Sequence, residues 1–199
     1  MADQRIEESR AFFGPRAATW DSRFPDDGPA YARAVDDLAP GQGARVLDLG
    51  CGTGRAVEAL RRVVGARGSV AGVDVTPEMV DTARRAGRDR QGVFVVGDGG
   101  RLPFAPGCFD AVFAAGVITH LPPPEHGLTE ITRVTRHGGR LAIFHPIGRA
   151  ALAARRGHGL SPDDLLDERN VGPFLAGFGW TLTSLEDGED RYLALATRR

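Results

Sequence analysis

The sequence predicts an α/β protein built on a doubly wound, mainly parallel sheet, and three observations lead there. Short apolar runs alternate with segments of helical periodicity, as they do when helices cover both faces of a parallel sheet. The first run, residues 45–49, enters a turn with Gly50, Gly52 and Gly54 at alternate positions, and a helix pattern begins beyond it. Each of the first three runs ends in or just before an acid: Asp48, Asp74 and Asp98.

Residues 4–13 read as a short helix, closed by Gly14-Pro15 because proline disfavours a helical residue before it. Residues 16–25 have no clean period and read as loop or short helix. Here Trp20, Arg23 and Phe24 are candidate substrate residues, since aromatic residues on loops often line binding sites. Tyr31, Ala34, Val35 and Leu38 fall at helical spacing, and Pro40-Gly41 ends that helix. The helix after the glycine turn places Val57, Leu60 and Val64 on one face. A second strand is expected over 69–75, with Thr76 as N-cap and Pro77 opening the next helix. A third strand over 92–97 precedes Asp98, and a fourth covers 109–115. Pro122-Pro123-Pro124 sets the start of a helix near 125–136. Gly138-Gly139 precedes a fifth strand over 140–145, which Pro146 stops. Residues 150–156 are helical and Arg-rich, and the run 149–156 reads as a solvated face, with contact to an anionic substrate as the alternative. Ser161-Pro162-Asp163-Asp164 reads as the cap of a further helix. Two final strands, 180–185 and 192–197, flank a Gly-centred turn, so one antiparallel strand is expected near the C-terminus.

The 199 residues suit one compact domain, read as an N-terminal helical segment and lid over 1–40 and a ligand-binding domain over 41–199. The net charge of −1 gives no basic field to attract nucleic acid or a membrane. All 25 non-histidine cations are Arg. Cys51 and Cys108 are too few for a disulfide framework. No apolar run approaches the ~20 residues of a membrane span, and residues 1–13 lack the apolar core of a signal peptide. A cytoplasmic location is therefore expected. No His/Cys cluster has metal-ligand spacing, so no metal is expected.

Alternating glycines let the backbone approach a ligand where a Cβ would block it, and the helix beyond points free N–H groups at the same place. Three carboxylates around that turn would repel a pyrophosphate. They suit a ligand with hydroxyls, an amine and a positive centre. A nucleoside carrying a sulfonium and an amino-acid tail has that chemistry. A nicotinamide-dependent oxidoreductase would need G-x-G-x-x-G and a use for Asp98, and the third glycine here comes one residue early.

With those residues in view, the chain resembles the class I S-adenosylmethionine-dependent methyltransferases of the small-molecule group. DLGCGTG (48–54), VDVTPEMV (73–80), GDGGRLPF (97–104) and FDAVFAAGVITHL (109–121) are similar to the family's first four motifs. The resemblance implies a Rossmann-like, seven-stranded sheet whose last strand runs antiparallel. It implies S-adenosylmethionine as cofactor, with adenosylhomocysteine as product. Asp48, Gly50, Cys51, Gly52 and Gly54 would form the first turn around the cofactor. Asp74 would meet the ribose, Val75 and Met79 the adenine face, and Gly97, Asp98 and Gly99 the adenine amine. Ala115 and Gly116 would approach the methionine moiety. Trp20-Asp21 is similar to an aromatic–acid pair that closes such sites.

The implied reaction is in-line displacement of the sulfonium methyl by a small-molecule acceptor. A general base is needed only for an acceptor that binds protonated. His120 after the fourth strand and His145 after the fifth are the candidates, while His126, His137 and His158 read as surface residues. A protein of this fold that holds the cofactor without catalysis is the alternative. The acceptor and the oligomeric state stay open.

Overall fold

The computed structural model of the chain describes residues 2–121 and 123–199. Seven strands form one sheet: β1 (Arg45–Leu49), β2 (Ser69–Asp74), β3 (Val93–Val96), β4 (Phe109–Ala115), β5 (Thr135–His145), β6 (Trp180–Asp187) and β7 (Tyr192–Arg198). Their order is β3-β2-β1-β4-β5-β7-β6. The first five strands pair in parallel, and β7 runs antiparallel to both of its neighbours. The strand order reverses between β1 and β4, so their carboxyl ends flank a crevice, where ligands bind in open α/β sheets.

Eight α-helices accompany the sheet among the described residues: α1 (Ala2–Phe13), α2 (Trp20–Arg23), α3 (Gly28–Leu38), α4 (Val57–Val64), α5 (Pro77–Arg85), α6 (Pro124–Val134), α7 (Arg149–Arg155) and α8 (Glu168–Gly177). None is long and apolar enough to cross a membrane. Successive strand residues point to opposite faces, and the core divides accordingly. Val46, Phe113 and Phe144 join a cluster with Leu38 of α3, Leu60 of α4 and Val80 of α5. Leu47, Val112 and Ile143 join another, with Leu128 of α6 and Leu175 of α8. Strands buried on both faces read as continuous apolar runs, which is why these were legible. Asp48 breaks the β1 run, although it is only 1% exposed.

Three expectations are corrected. Strand β5 begins at Thr135, not Arg140: Thr135 already pairs with Phe109, and the register jumps to Ala111↔Arg140. The Gly138-Gly139 pair thus lies inside a bulged strand rather than before it. Helix α6 accordingly ends at Val134, and the Thr135 hydroxyl donates to the Ile131 carbonyl at 2.6 Å, closing it. Ser161–Asp164 caps no helix; its polar groups close turns, with Asp163 N–H donating to Ser161 Oγ at 3.2 Å. The true cap of α8 is Asp167, which accepts from the Arg169 N–H. Thr76 occupies the N-cap position of α5 without a side-chain cap bond. Pro122 lies outside the described residues, and α6 opens at Pro124.

Candidate active site

The glycine turn is folded over the end of β2. The N–H groups of Gly50 and Cys51 both donate to the Val73 carbonyl, at 2.8 and 3.1 Å. Gly50 has φ +66°, and a Cβ there would lie 2.5 Å from the Cβ of Val117. Gly52 has φ +53°, and the nearest atom to its absent Cβ is Met79 Sδ at 4.0 Å, so this side of the turn is open. Only glycine takes such angles without strain.

Asp74 fixes the turn. Its carboxylate accepts from the Gly52 N–H at 2.9 Å and from the Thr76 N–H at 2.8 Å. Asp98 accepts from the Gly100 N–H at 2.8 Å. Asp48 Oδ2, by contrast, has no hydrogen-bond partner among the described residues. Burial, reinforced by the Asp74 charge, pushes the Asp48 carboxyl up to about 8. Burial also raises Asp74, against the pull of its two N–H donors. A buried carboxyl held protonated is one that a bound cation would ionise.

These residues open on a cavity of about 1270 Å³. A single small ligand typically occupies ~300–1,000 Å³, so there is room for two. Asp48, Gly50, Cys51, Gly52, Asp74 and Val75 line it, as do Met79, Gly97, Asp98, Gly99, Ala115 and Gly116. Gly54, grouped with them from sequence, does not. A Cβ there would lie 2.7 Å from the Phe94 ring, so this glycine lets the turn pack on β3. Cys51 is a free, buried thiol packed against Gly72, where a Cβ would come within 3.0 Å of its sulfur.

Trp20 and Phe24 also line the cavity, whereas Arg23 does not. The two aromatics are four residues apart and share the inward face; Arg23 is exposed to solvent. Phe13, Trp20 and Phe24 form an aromatic chain with centroid spacings of 5.5 and 5.1 Å. Asp21 turns away from the cavity and clamps this segment down. It accepts from the Thr53 hydroxyl at 2.6 Å and pairs with Arg88 at 2.8 Å. Arg55 adds a second clamp, pairing with Asp27 at 3.2 Å and donating to the Phe24 carbonyl.

Both candidate histidines face the cavity. His145 Nδ1 lies 3.0 Å from the Ile147 carbonyl oxygen. The Ile147 N–H also lies 3.3 Å from the same nitrogen; the carbonyl calls for a proton on Nδ1 and the N–H for a lone pair, so the tautomer is set by what meets Nε2. The ring stands beside Gly116, whose missing Cβ would be 3.7 Å from His145 Cδ2. His120 meets the edge of Phe13 at 5.7 Å. Desolvation, then the Arg156 charge, lowers the His120 pKa. Desolvation lowers His145 as well, against the Ile147 carbonyl.

Several lining residues carried no signal in the sequence. Ile6, Ser9 and Phe13 reach the cavity from α1, and Tyr192 from the first position of β7, whereas Leu152 of α7 and Arg156 just after it belong to the Arg-rich stretch that the sequence singled out. Thr53 and Arg55 had the one available clue, being inside or next to the glycine motif. His158, read as a surface residue, is exposed but lines the cavity. Arg149, read as part of a solvated face, is buried. Its guanidinium meets Asp164 at 3.0 Å, Asp167 at 3.2 Å and Asp187 at 3.3 Å.

A doubly wound sheet with an acid-rimmed glycine turn at its switch point defines a Rossmann-like nucleoside-binding architecture. A family profile described as "Methyltransferase domain" matches residues 47–143, and over that span the chain is similar to the class I S-adenosylmethionine-dependent methyltransferases, whose cofactor is S-adenosylmethionine. Aklanonic acid methyltransferase DauC of Streptomyces sp. strain C5 is 34% identical over 126 residues, 61% of this chain and 57% of the relative. A demethylmenaquinone methyltransferase of Beutenbergia cavernae is 40% identical over 109 residues, 55% of this chain and 43% of the relative. The chain thus spans about half the length of these curated relatives. A SAM-dependent methyltransferase from Aquifex aeolicus shares the fold, with a TM-score of 0.71, 24% identity and coverage of 85% of this chain and 89% of that one.

Proposed function

We propose that the chain binds S-adenosylmethionine at the glycine turn and transfers its methyl group to a small-molecule acceptor in the other half of the cavity. One observation carries the reading: Asp48 is a buried carboxyl with an unpartnered oxygen, beside Asp74, at the open side of a glycine turn. That site fits an ammonium or sulfonium and repels a pyrophosphate. The two relatives named above act, by their names, on small molecules, which supports the acceptor class.

Asp48 with Gly50 and Gly52 would hold the amino-acid tail. Asp74 has lone pairs to spare beyond its two backbone bonds and would accept from the ribose hydroxyls. Val75 and Met79 would cover the adenine face, and Asp98 with Gly99 would read its amine. Gly97 would back that loop, and Ala115 and Gly116 would flank the methionine chain. When bound, the cofactor supplies a methyl on a positively charged sulfur, already activated for one in-line displacement.

The protein's share is to align the partners and exclude water. Trp20, Phe24 and Phe13 close the site on the N-terminal side. His145, standing beside Gly116, would take the proton of an attacking hydroxyl on Nε2, in the tautomer whose Nδ1 proton is donated to the Ile147 carbonyl. His120, at the mouth, would position the acceptor.

Calorimetry with adenosylhomocysteine and with NAD tests the donor, and label transfer from S-adenosylmethionine to cell extract tests the reaction. Binding of adenosylhomocysteine alone, with a labelled small molecule, is the expected outcome. Uptake of NAD in its place would overturn the reading.

A further inference from the structure

The two ends of the cavity carry opposite charge. Asp48, Asp74 and Asp98 make the glycine-turn end acidic, and Arg155, Arg156 and His158 line the far end, on and just after α7. The acids near that far end are already engaged. Asp164, Asp167 and Asp187 all converge on the buried Arg149. Arg155 and Arg156 have no carboxylate within ion-pair distance among the described residues, although both face the cavity. Arg156 stands close enough for its charge to act on both His120 and His145. Both guanidinium groups are exposed at the cavity wall, so an anion entering the cavity can reach them without displacing a protein partner.

A second, independent observation lies deeper in the wall. The Tyr192 hydroxyl is buried and has no hydrogen-bond partner among the described residues. Tyr192 lines the cavity and is the register partner of His145 across β5 and β7. Ile143, Leu152 and Leu166 supply the apolar wall around it. A buried hydroxyl of this kind is satisfied when a ligand oxygen reaches it.

We propose that the far end selects an anionic acceptor with an apolar or aromatic body. Its carboxylate or equivalent anion lies on Arg155 and Arg156. Its body packs against Ile143, Leu152 and Leu166. Its oxygen-bearing edge meets the Tyr192 hydroxyl and points its nucleophile at His145. The inference rests on the methyl-donor reading of the acidic end, since a cationic donor and an anionic acceptor then attract across the same cavity.

The test uses two fluorescent probes that share one aromatic body. 8-Anilinonaphthalene-1-sulfonate carries an anion, and N-phenyl-1-naphthylamine does not. Each is titrated at low ionic strength into the full chain, with and without saturating adenosylhomocysteine. The sulfonate is expected to bind about tenfold more tightly than the neutral probe, and more tightly at low salt than at high. In the R155Q/R156Q variant the preference should collapse while neutral-probe affinity holds. Both substituted side chains are exposed, so the fold should survive. Equal affinities, no binding of the sulfonate, or a preference that persists in the variant would overturn the proposal. Calorimetry of adenosylhomocysteine in the same samples reads the donor end separately: its failure would remove the methyl-donor reading while the probes still report on the far end.

Discussion

The two ends of the cavity are built in opposite ways. At the glycine-turn end, backbone does the holding. Asp74 and Asp98 are bonded to N–H groups of Gly52, Thr76 and Gly100, and the turn hangs on the Val73 carbonyl. The residues come from three short stretches at the ends of β1, β2 and β3. At the far end, side chains hold side chains. Arg149 gathers three aspartates from the segment before α8 and from β6, and the lining comes from β5, α7, β7 and the segment between α7 and α8. Contacts made by backbone follow from the path of the chain. Contacts made between side chains can be exchanged without moving it. The first construction suits one fixed ligand, and the second suits a pocket whose occupant is set by a few side chains.

If that contrast is right, the largest loss should follow from Asp74→Ala. The substitution removes the proposed ribose acceptor and leaves the Gly52 and Thr76 N–H groups without their partner. Each unpaired buried donor costs about 1–3 kcal/mol. Adenosylhomocysteine affinity should fall at least about a hundredfold, or ~2.7 kcal/mol, together with the melting temperature. Calorimetry and thermal unfolding check both, and a loss below tenfold would break the comparison, because the turn would then stand without its carboxylate.

His145→Ala probes the other construction and should separate binding from turnover. Turnover should drop by about ten- to a hundredfold, with adenosylhomocysteine affinity within about twofold of the parent. The base must be neutral, and desolvation holds His145 below the ordinary imidazole value. Turnover should therefore fall as pH drops through that lowered pKa, with the acid limb below about 6.5. The limb should vanish in the variant. An unchanged limb would move the base elsewhere, with His120 next in line.

The same contrast explains what the sequence revealed. The interior strands were legible because both faces are buried, and β1 to β4 came out within a residue or two at each end. The glycine turn and its acids were legible because local backbone geometry demands those residues at that spacing. The start of β5 was missed because Gly138-Gly139, ordinarily a break, sits within a bulge that only the pairing to Phe109 and Ala111 reveals. Gly54 reads from sequence as a ligand contact, whereas its φ of +84° and the Phe94 ring, forty residues away, are what call for a glycine there. Tyr192 and the Arg149 cluster were invisible for a similar reason. Tyr192 is one apolar residue in a strand until β5 lies beside it. Arg149 is one Arg in an Arg-rich helix until β6 and the segment before α8 bring three aspartates to it.

The smallest effect expected is also the one that best distinguishes the two constructions, because Asp48 is the one acid of the turn with a buried oxygen that nothing in the described protein satisfies. Its carboxyl titrates near 8 in the fold, against 3.8 for the ordinary group. Between those values the unfolded chain has lost the proton and the folded chain keeps it, so stability falls as pH rises through that window. Asp48→Asn removes the penalty. The variant should melt above the parent at pH 8, with the gap closing toward pH 4. The ligand end of the argument has the opposite sign. At pH 7 the parent should release close to one proton from Asp48 when the ammonium group of the ligand's amino-acid tail binds beside it, and the variant has none to release. Calorimetry of adenosylhomocysteine in buffers of different ionisation enthalpy reads that proton directly, and affinity in the variant should drop by about three- to tenfold. A parent that binds without releasing a proton would mean that Asp48 stays neutral beside the ligand, and the positive charge would then have to be held by Asp74 and Asp98 alone.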